Sequence, residues 1–131
     1  DYTYNVKING QDLHSTDGRV NGLCVVERKQ NLDELANCFT RGRERFAREF
    51  ERASCNNAKV YLLIENGSID MILSGQYRSR FRPKSFLASL IAWEVRYNLT
   101  TIFCDASNSG RIIKEVLYRD IKERLERGEF G

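Results

Sequence analysis

Leu23-Cys24-Val25-Val26-Glu27-Arg28-Lys29-Gln30-Asn31-Leu32-Asp33-Glu34 decides the fold. Four apolar residues run without a break into three charged ones, which is the pattern of a strand buried in a sheet whose last residues emerge at its C-terminal end. Asn31 then supplies an N-cap, and Glu34 three positions later sits close to the capping-box spacing, so a helix opens at once and extends to about Phe39. A strand that feeds directly into a helix starts a β-α crossover.

Outward from that point the same alternation continues. After Gly42, RERFAREFERAS places Phe46, Ala47, Phe50 and Ala53 on one apolar helical stripe amid charge. Lys59 to Glu65 (KVYLLIE) is a nearly continuous apolar run, the form of a strand buried on both faces. Ser68 caps a short helix through Leu73, and Pro83 starts another that carries Phe86, Leu87, Leu90, Ile91, Val95 and Tyr97. Phe86, Trp93 and Tyr97 read as core. Thr100 to Cys104 is a further buried strand, and a last helix runs from after Asn108 to a stop at Gly128. Toward the N-terminus, residues 2–8 alternate β-formers with polar residues and end in the turn signal Asn9-Gly10. Strands alternating with helices predict a three-layer α/β domain with a mixed, largely parallel central sheet, to which the early hairpin adds antiparallel strands.

The chain has 131 residues, one domain's worth, and 41% of them are apolar, enough for a real core. No apolar run approaches the roughly 20 residues that cross a bilayer, and DYTYNVKING lacks the basic start and apolar stretch of a signal peptide. The expectation is a soluble, cytoplasmic protein without a membrane partner. Lys and Arg total 21 against 18 Asp and Glu, a net charge of +3. Fifteen of those cations are Arg, the planar fork that grips phosphates and carboxylates, which favours an anionic partner.

Four cysteines, Cys24, Cys38, Cys55 and Cys104, include no C-x-x-C pair and have no neighbouring histidine, which argues against zinc. Cys24 and Cys104 lie in apolar runs and read as reduced core thiols. His14, the only histidine, sits in a polar stretch, so catalysis by this chain has to draw on carboxylates and lysine.

Residues two apart on a strand face the same way, so Glu27 and Lys29 project together and Arg28 projects oppositely. A carboxylate and an ammonium at one strand end suit metal-assisted phosphodiester hydrolysis, with a hard oxygen ligand for Mg²⁺ and a cation that orients water or meets phosphate charge. The same two residues also make an ordinary surface pair, and E-x-K alone does not separate the two readings. Tyr77 to Lys84 is a second concentration of chemistry: Arg78, Arg80, Arg82 and Lys84 with Tyr77 and Phe81, and no acid. It is the best phosphate-binding segment in the chain. The helix bearing Arg43, Arg45, Arg48 and Arg52 is basic only until Glu44–Arg48 and Arg45–Glu49 are counted as i,i+4 pairs.

The longer string is more specific. Val25-Val26-Glu27-Arg28-Lys29-x-x-x-Asp33, with Gly42-Arg43 and Arg45-Phe46 after it, resembles the E-R-K-x-x-x-D signature of XPF/Hef/Mus-type structure-specific endonuclease domains and their short bacterial and phage relatives. Tyr61 to Glu65, Tyr77-Arg78-Ser79, Pro83 to Phe86, Arg96-Tyr97-Asn98 and Ile102-Phe103 continue the resemblance over essentially the whole chain. It implies a restriction-endonuclease-like fold and a DNA endonuclease dependent on Mg²⁺ or Mn²⁺ that cuts branched, flap or junction DNA. By the same resemblance Asp1 and Glu27 are metal ligands, Lys29 orients or activates water, Arg28 supports the site or lends its carbonyl, and Asp33 belongs to the signature. Asp33 also fits a structural place, in the first turn of a helix where negative charge is favoured. Asp1-Tyr2 looks like the end of the family's Gly-Asp-Tyr motif, which would put its glycine and an earlier strand upstream of residue 1; Asp17 is the alternative first ligand. Glu65 is a candidate supporting residue behind the metal ligands. A homodimer is the family's expectation. The opposing reading is a non-catalytic DNA-binding or partner-supporting module of the same fold.

Overall fold

The computed structural model describes residues 2–4, 7–8, 11–12 and 24–129. Asp1, His14 and Asp17 lie outside the described residues. The main sheet has the order β1-β4-β5-β6, formed by β1 (Tyr2–Thr3), β4 (Val25–Lys29), β5 (Val60–Glu65) and β6 (Leu99–Cys104). β4 pairs with β5 in parallel from Val25↔Val60 to Lys29↔Ile64, and β5 with β6 from Val60↔Leu99 to Glu65↔Cys104. β1 is antiparallel to β4, with Tyr2 opposite Val26. The single strand expected over residues 2–8 is instead two: β2 (Lys7–Ile8) pairs with β3 (Gln11–Asp12), antiparallel, in a two-stranded sheet separate from the main one. Among the described residues only Tyr2–Thr3 pairs with the open side of β4, and β2 and β3 form a sheet of their own.

The crossovers are helical, as the alternation requires. α1 (Leu32–Phe39) and α2 (Arg43–Cys55) link β4 to β5, while α3 (Ile69–Leu73) and α4 (Pro83–Arg96) link β5 to β6. α5 (Ser109–Glu126) follows a 3-10 turn at Ala106–Asn108. Local chemistry sets these boundaries. Asn31 Oδ1 accepts from the Glu34 N–H at 2.8 Å, and the Glu34 carboxylate reaches back to the Gln30 N–H at 3.1 Å. Ser68 Oγ accepts from the Met71 N–H in the same way. Pro83 occupies the first turn of α4, where its missing N–H is harmless. Gly128, at φ 72°, makes the left-handed exit from α5.

Leu62 and Ile64 face α1, α2 and α4, and Leu63 with Val26 faces Ile113 of α5, so the sheet is covered on both sides. The larger layer is aromatic. Phe39 meets Phe46, Phe86 and Trp93 edge-on at 5.8, 6.1 and 5.0 Å between centroids. The contacts continue from Trp93 to Phe50 and Tyr97, and from Phe86 to Tyr77 and Phe81. On α4 the buried stripe is Phe86, Leu90, Trp93 and Tyr97. Ile91 and Val95, also carried by this helix, are 49% and 83% exposed, because the turn of the helix puts them on its outer side.

Phe39 joins three helices through rings that cannot collapse into the space it fills. Phe39→Ala is expected to cost about 3–5 kcal/mol of stability, read as a lowered midpoint of denaturant unfolding.

Candidate active site and nucleic-acid interface

The pleat of β4 sorts its charged end. Glu27 and Lys29 lie on the α1/α2 side, where Lys29 Nζ is 3.2 Å from Glu27 Oε1 and 3.9 Å from Glu34 Oε1. The same ammonium stands 5.2 Å from the centre of the Phe46 ring. Both side chains of the Glu27–Lys29 pair are largely enclosed, 18% and 12% exposed. Burial opposes the Lys29 charge, yet Cys38, Glu27 and Glu34 outweigh it and hold Lys29 above its ordinary value. Burial raises the neighbouring Cys38 thiol, which Lys29 only partly offsets. The group presented at this corner is therefore an ammonium, a donor of hydrogen bonds.

Arg28 leaves the strand on the α5 side. Its Nε and Nη2 donate to the two oxygens of Glu65 at 2.9 Å each, a bidentate fork, and Ser109 Oγ donates to the same carboxylate. Glu65 is 3% exposed, and these bonds from Arg28 and Ser109 hold its carboxyl below the usual range. Glu65 thus reaches the same end of the sheet as Glu27 but the opposite face, since register pairs Arg28 with Leu63 and the pleat returns Glu65 to that side. It holds Arg28.

Asp33 has a more particular place than the first turn of a helix demands. Its Oδ1 accepts from the Arg78 and Ser79 N–H groups, both at 2.8 Å, and so clasps the basic loop onto α1. Arg78, Arg80, Arg82 and Lys84 are exposed there. Tyr77 is half-buried beside them: its ring packs edge-on against Phe86 and its hydroxyl donates to the Phe81 carbonyl. The loop is anchored by an aromatic that the sequence placed at the nucleic acid.

Glu27 also lines a cleft with Glu49, Arg52 and Phe50 of α2. Neither Glu44–Arg48 nor Arg45–Glu49 closes to an ion pair among the described residues, so the self-paired face expected of α2 is not formed. No group of three or more His, Cys, Asp or Glu side chains that could hold a metal occurs among the described residues.

The family model of the ERCC4 domain matches residues 1–116. The chain belongs to the ERCC4 domain family. Comparison with curated proteins and with solved structures finds no match. Membership makes this a domain of a nuclease family whose substrate is DNA and whose nucleases generally depend on divalent metal. No helix among the described residues is long and apolar enough to cross a membrane.

The match to the ERCC4 domain ends inside α5, and the remaining turns of that helix carry a polar cluster that sequence spacing did not disclose. Tyr4 donates its hydroxyl to Asp120 and accepts from Arg124 Nη1 at 2.9 Å, while Arg124 Nη2 donates to Glu129 at 2.9 Å. Arg124 is 7% exposed, and its partners hold it above its ordinary value despite burial. Cys24 beside them is pushed up to about 12 by burial and by Asp120. All four cysteines are free thiols. The cluster ties β1 to the last helix of this ERCC4 domain. Glu34, Cys38 and Phe46 around Lys29, and Glu49 beside Glu27, are likewise additions by the structure. The Asn31–Glu34 capping signal already placed Glu34 one turn from Lys29.

Two outcomes follow from this geometry. Asp33→Ala should speed amide exchange at Arg78 and Ser79 while leaving that of β5 unchanged, as measured by hydrogen exchange. A depressed Glu65 contributes stability that is complete above the ordinary value of 4.5 and is lost as pH falls through its lower folded value. Glu65→Gln should therefore lower the melting temperature at neutral pH, with the gap to the unsubstituted chain closing below about pH 4.

Proposed function

We propose that this chain is a DNA endonuclease that hydrolyses phosphodiester bonds in branched, flap or junction DNA with Mg²⁺ or Mn²⁺. The observation that carries the reading is the Glu27–Lys29 pair, 3.2 Å apart and enclosed at the C-terminal end of β4. A hard divalent cation takes oxygen ligands, keeps several waters and needs few carboxylates. Glu27 fits that demand: Lys29 engages one of its oxygens, and the other has no hydrogen bond among the described residues. Asp1 is proposed as the second ligand; it precedes Tyr2, whose register partner Val26 precedes Glu27. When bound, such an ion supplies positive charge at the phosphate and a more acidic water.

The chain's own residues supply the rest. Lys29, steadied by Glu27, Glu34 and the Phe46 face, offers its protons to an attacking water or a phosphate oxygen. Arg28 is drawn to the other face by Glu65 and fixes the strand end from behind. Asp33 sets the loop at a fixed distance from α1, so that Arg78, Arg80, Arg82 and Lys84 meet the DNA backbone. Self-association belongs to the same reading, because Ile91 and Val95 leave an apolar strip on the outside of α4.

The test incubates the chain with labelled duplex, single-stranded, flap and four-way-junction DNA in Mg²⁺, Mn²⁺ or chelator. Cleavage should require the metal and fall by on the order of 100-fold or more in Glu27→Ala and in Lys29→Ala, with DNA binding by Lys29→Ala retained. Binding without cleavage, unaltered by either substitution, would leave a DNA-binding module and sink the catalytic assignment.

A further inference from the structure

Between α1 and the loop that follows α3 lies an open groove of about 920 Å³ whose character differs from the Glu27 cleft. One wall is the α1–α2 turn with Arg41, and the other is the loop with Arg78, Arg80 and Arg82. None of these four guanidinium groups makes a side-chain hydrogen bond or ion pair among the described residues, whereas Arg28, Arg43, Arg119, Arg124 and Arg127 are all engaged. Asp33 is the one acid on the groove, and its Oδ1 already accepts two loop amides. Phe81 is the one aromatic on it. Its inner face stacks on Phe86 at 5.3 Å and 27°, which leaves the outer face toward the groove. Asn31, the cap of α1, also lines it.

We propose that this groove seats a single-stranded segment of nucleic acid, its phosphates held by Arg41 and the loop arginines and a base stacked on Phe81. The inference rests on the reading of the chain as a DNA-processing domain. Two cationic walls with a ring between them follow one backbone and one row of bases, which is how single strands are held. A duplex buries its base faces and would use only the rim.

Binding is measured by fluorescence anisotropy in chelator, so that it does not depend on cleavage, with oligo(dT) of about 12 nucleotides and a hairpin duplex as probes. Phe81→Leu should weaken oligo(dT) roughly tenfold, since stacking a base is worth about that much, and leave the duplex within about twofold. Arg41→Ala, on an exposed turn where it threatens no packing, should weaken oligo(dT) and flatten its log–log salt dependence by about 0.7. Unfolding curves check that both variants are folded. The proposal is overturned if oligo(dT) binding is unchanged in either variant, or if Phe81→Leu weakens the duplex as much as the single strand. Oligo(dT) binding that survives in a chain with no metal-dependent cleavage keeps the groove and removes the nuclease; cleavage of flap DNA with no oligo(dT) binding does the reverse.

Discussion

The edge-to-face packing of Phe39 against Phe46, Phe86 and Trp93 is the contact on which the functional geometry rests. Each such pair adds about 0.5–1.5 kcal/mol beyond the area it buries, but position matters more here than energy. Phe46 is the surface against which Lys29 lies, and Phe86 is the surface on which Tyr77 and Phe81 are laid. The lysine at the candidate active site and the basic loop are thus supported by one continuous stack of rings. A shift in α1 would move both together.

On that support the pleat of a five-residue strand divides the work. Glu27 and Lys29 face the aromatic layer and the cleft, while Arg28, between them in sequence, is tied to Glu65 and Ser109 behind the sheet. A buried carboxylate is tolerable only with its charge answered and its lone pairs used; the Arg28 fork and the Ser109 hydroxyl do both. The strand end is consequently held from both sides. Since Arg28 is anchored at the back, the two neighbours that share a face have little freedom to slide relative to α1.

What the sequence made legible was what local chemistry decides. The run LCVV into ERK, the Asn31 cap, the Ser68 cap and Pro83 located strands and helices to within a residue or two, and alternation put Glu27 with Lys29. What it concealed depends on residues distant along the chain. Asp33 meets Arg78 and Ser79 across 45 and 46 positions, and Tyr4 meets Asp120 across 116. No periodicity encodes such meetings. The inner face of α4 was open for a related reason: apolar residues at helical spacing fit two overlapping stripes, and only the position of the aromatic layer chooses Phe86, Leu90 and Trp93 over Ile91 and Val95. Nor does the sequence show that Tyr77, expected at the nucleic acid because basic neighbours surround it, packs its ring on Phe86 and so anchors those neighbours.

A net charge of +3 spread over 131 residues gives a weak overall field. Exposed charges farther apart than the Debye length, about 10 Å at 0.1 M salt, scarcely reinforce one another. An anionic polymer can be attracted strongly only where cations are gathered and left unpaired. The chain gathers such cations in one place: Arg28, Arg119, Arg124 and Arg127 are committed to Glu65, Glu115 and Glu129, while Arg41, Arg78, Arg80 and Arg82 line a single groove without acid partners among the described residues. Asp33 completes the logic rather than contradicting it. A carboxylate that binds two backbone amides costs the groove one charge, yet it fixes the backbone of a loop that bears three arginines and would otherwise pay more conformational entropy on meeting a phosphate backbone. The acid reduces the field slightly and steadies the loop from which it is projected.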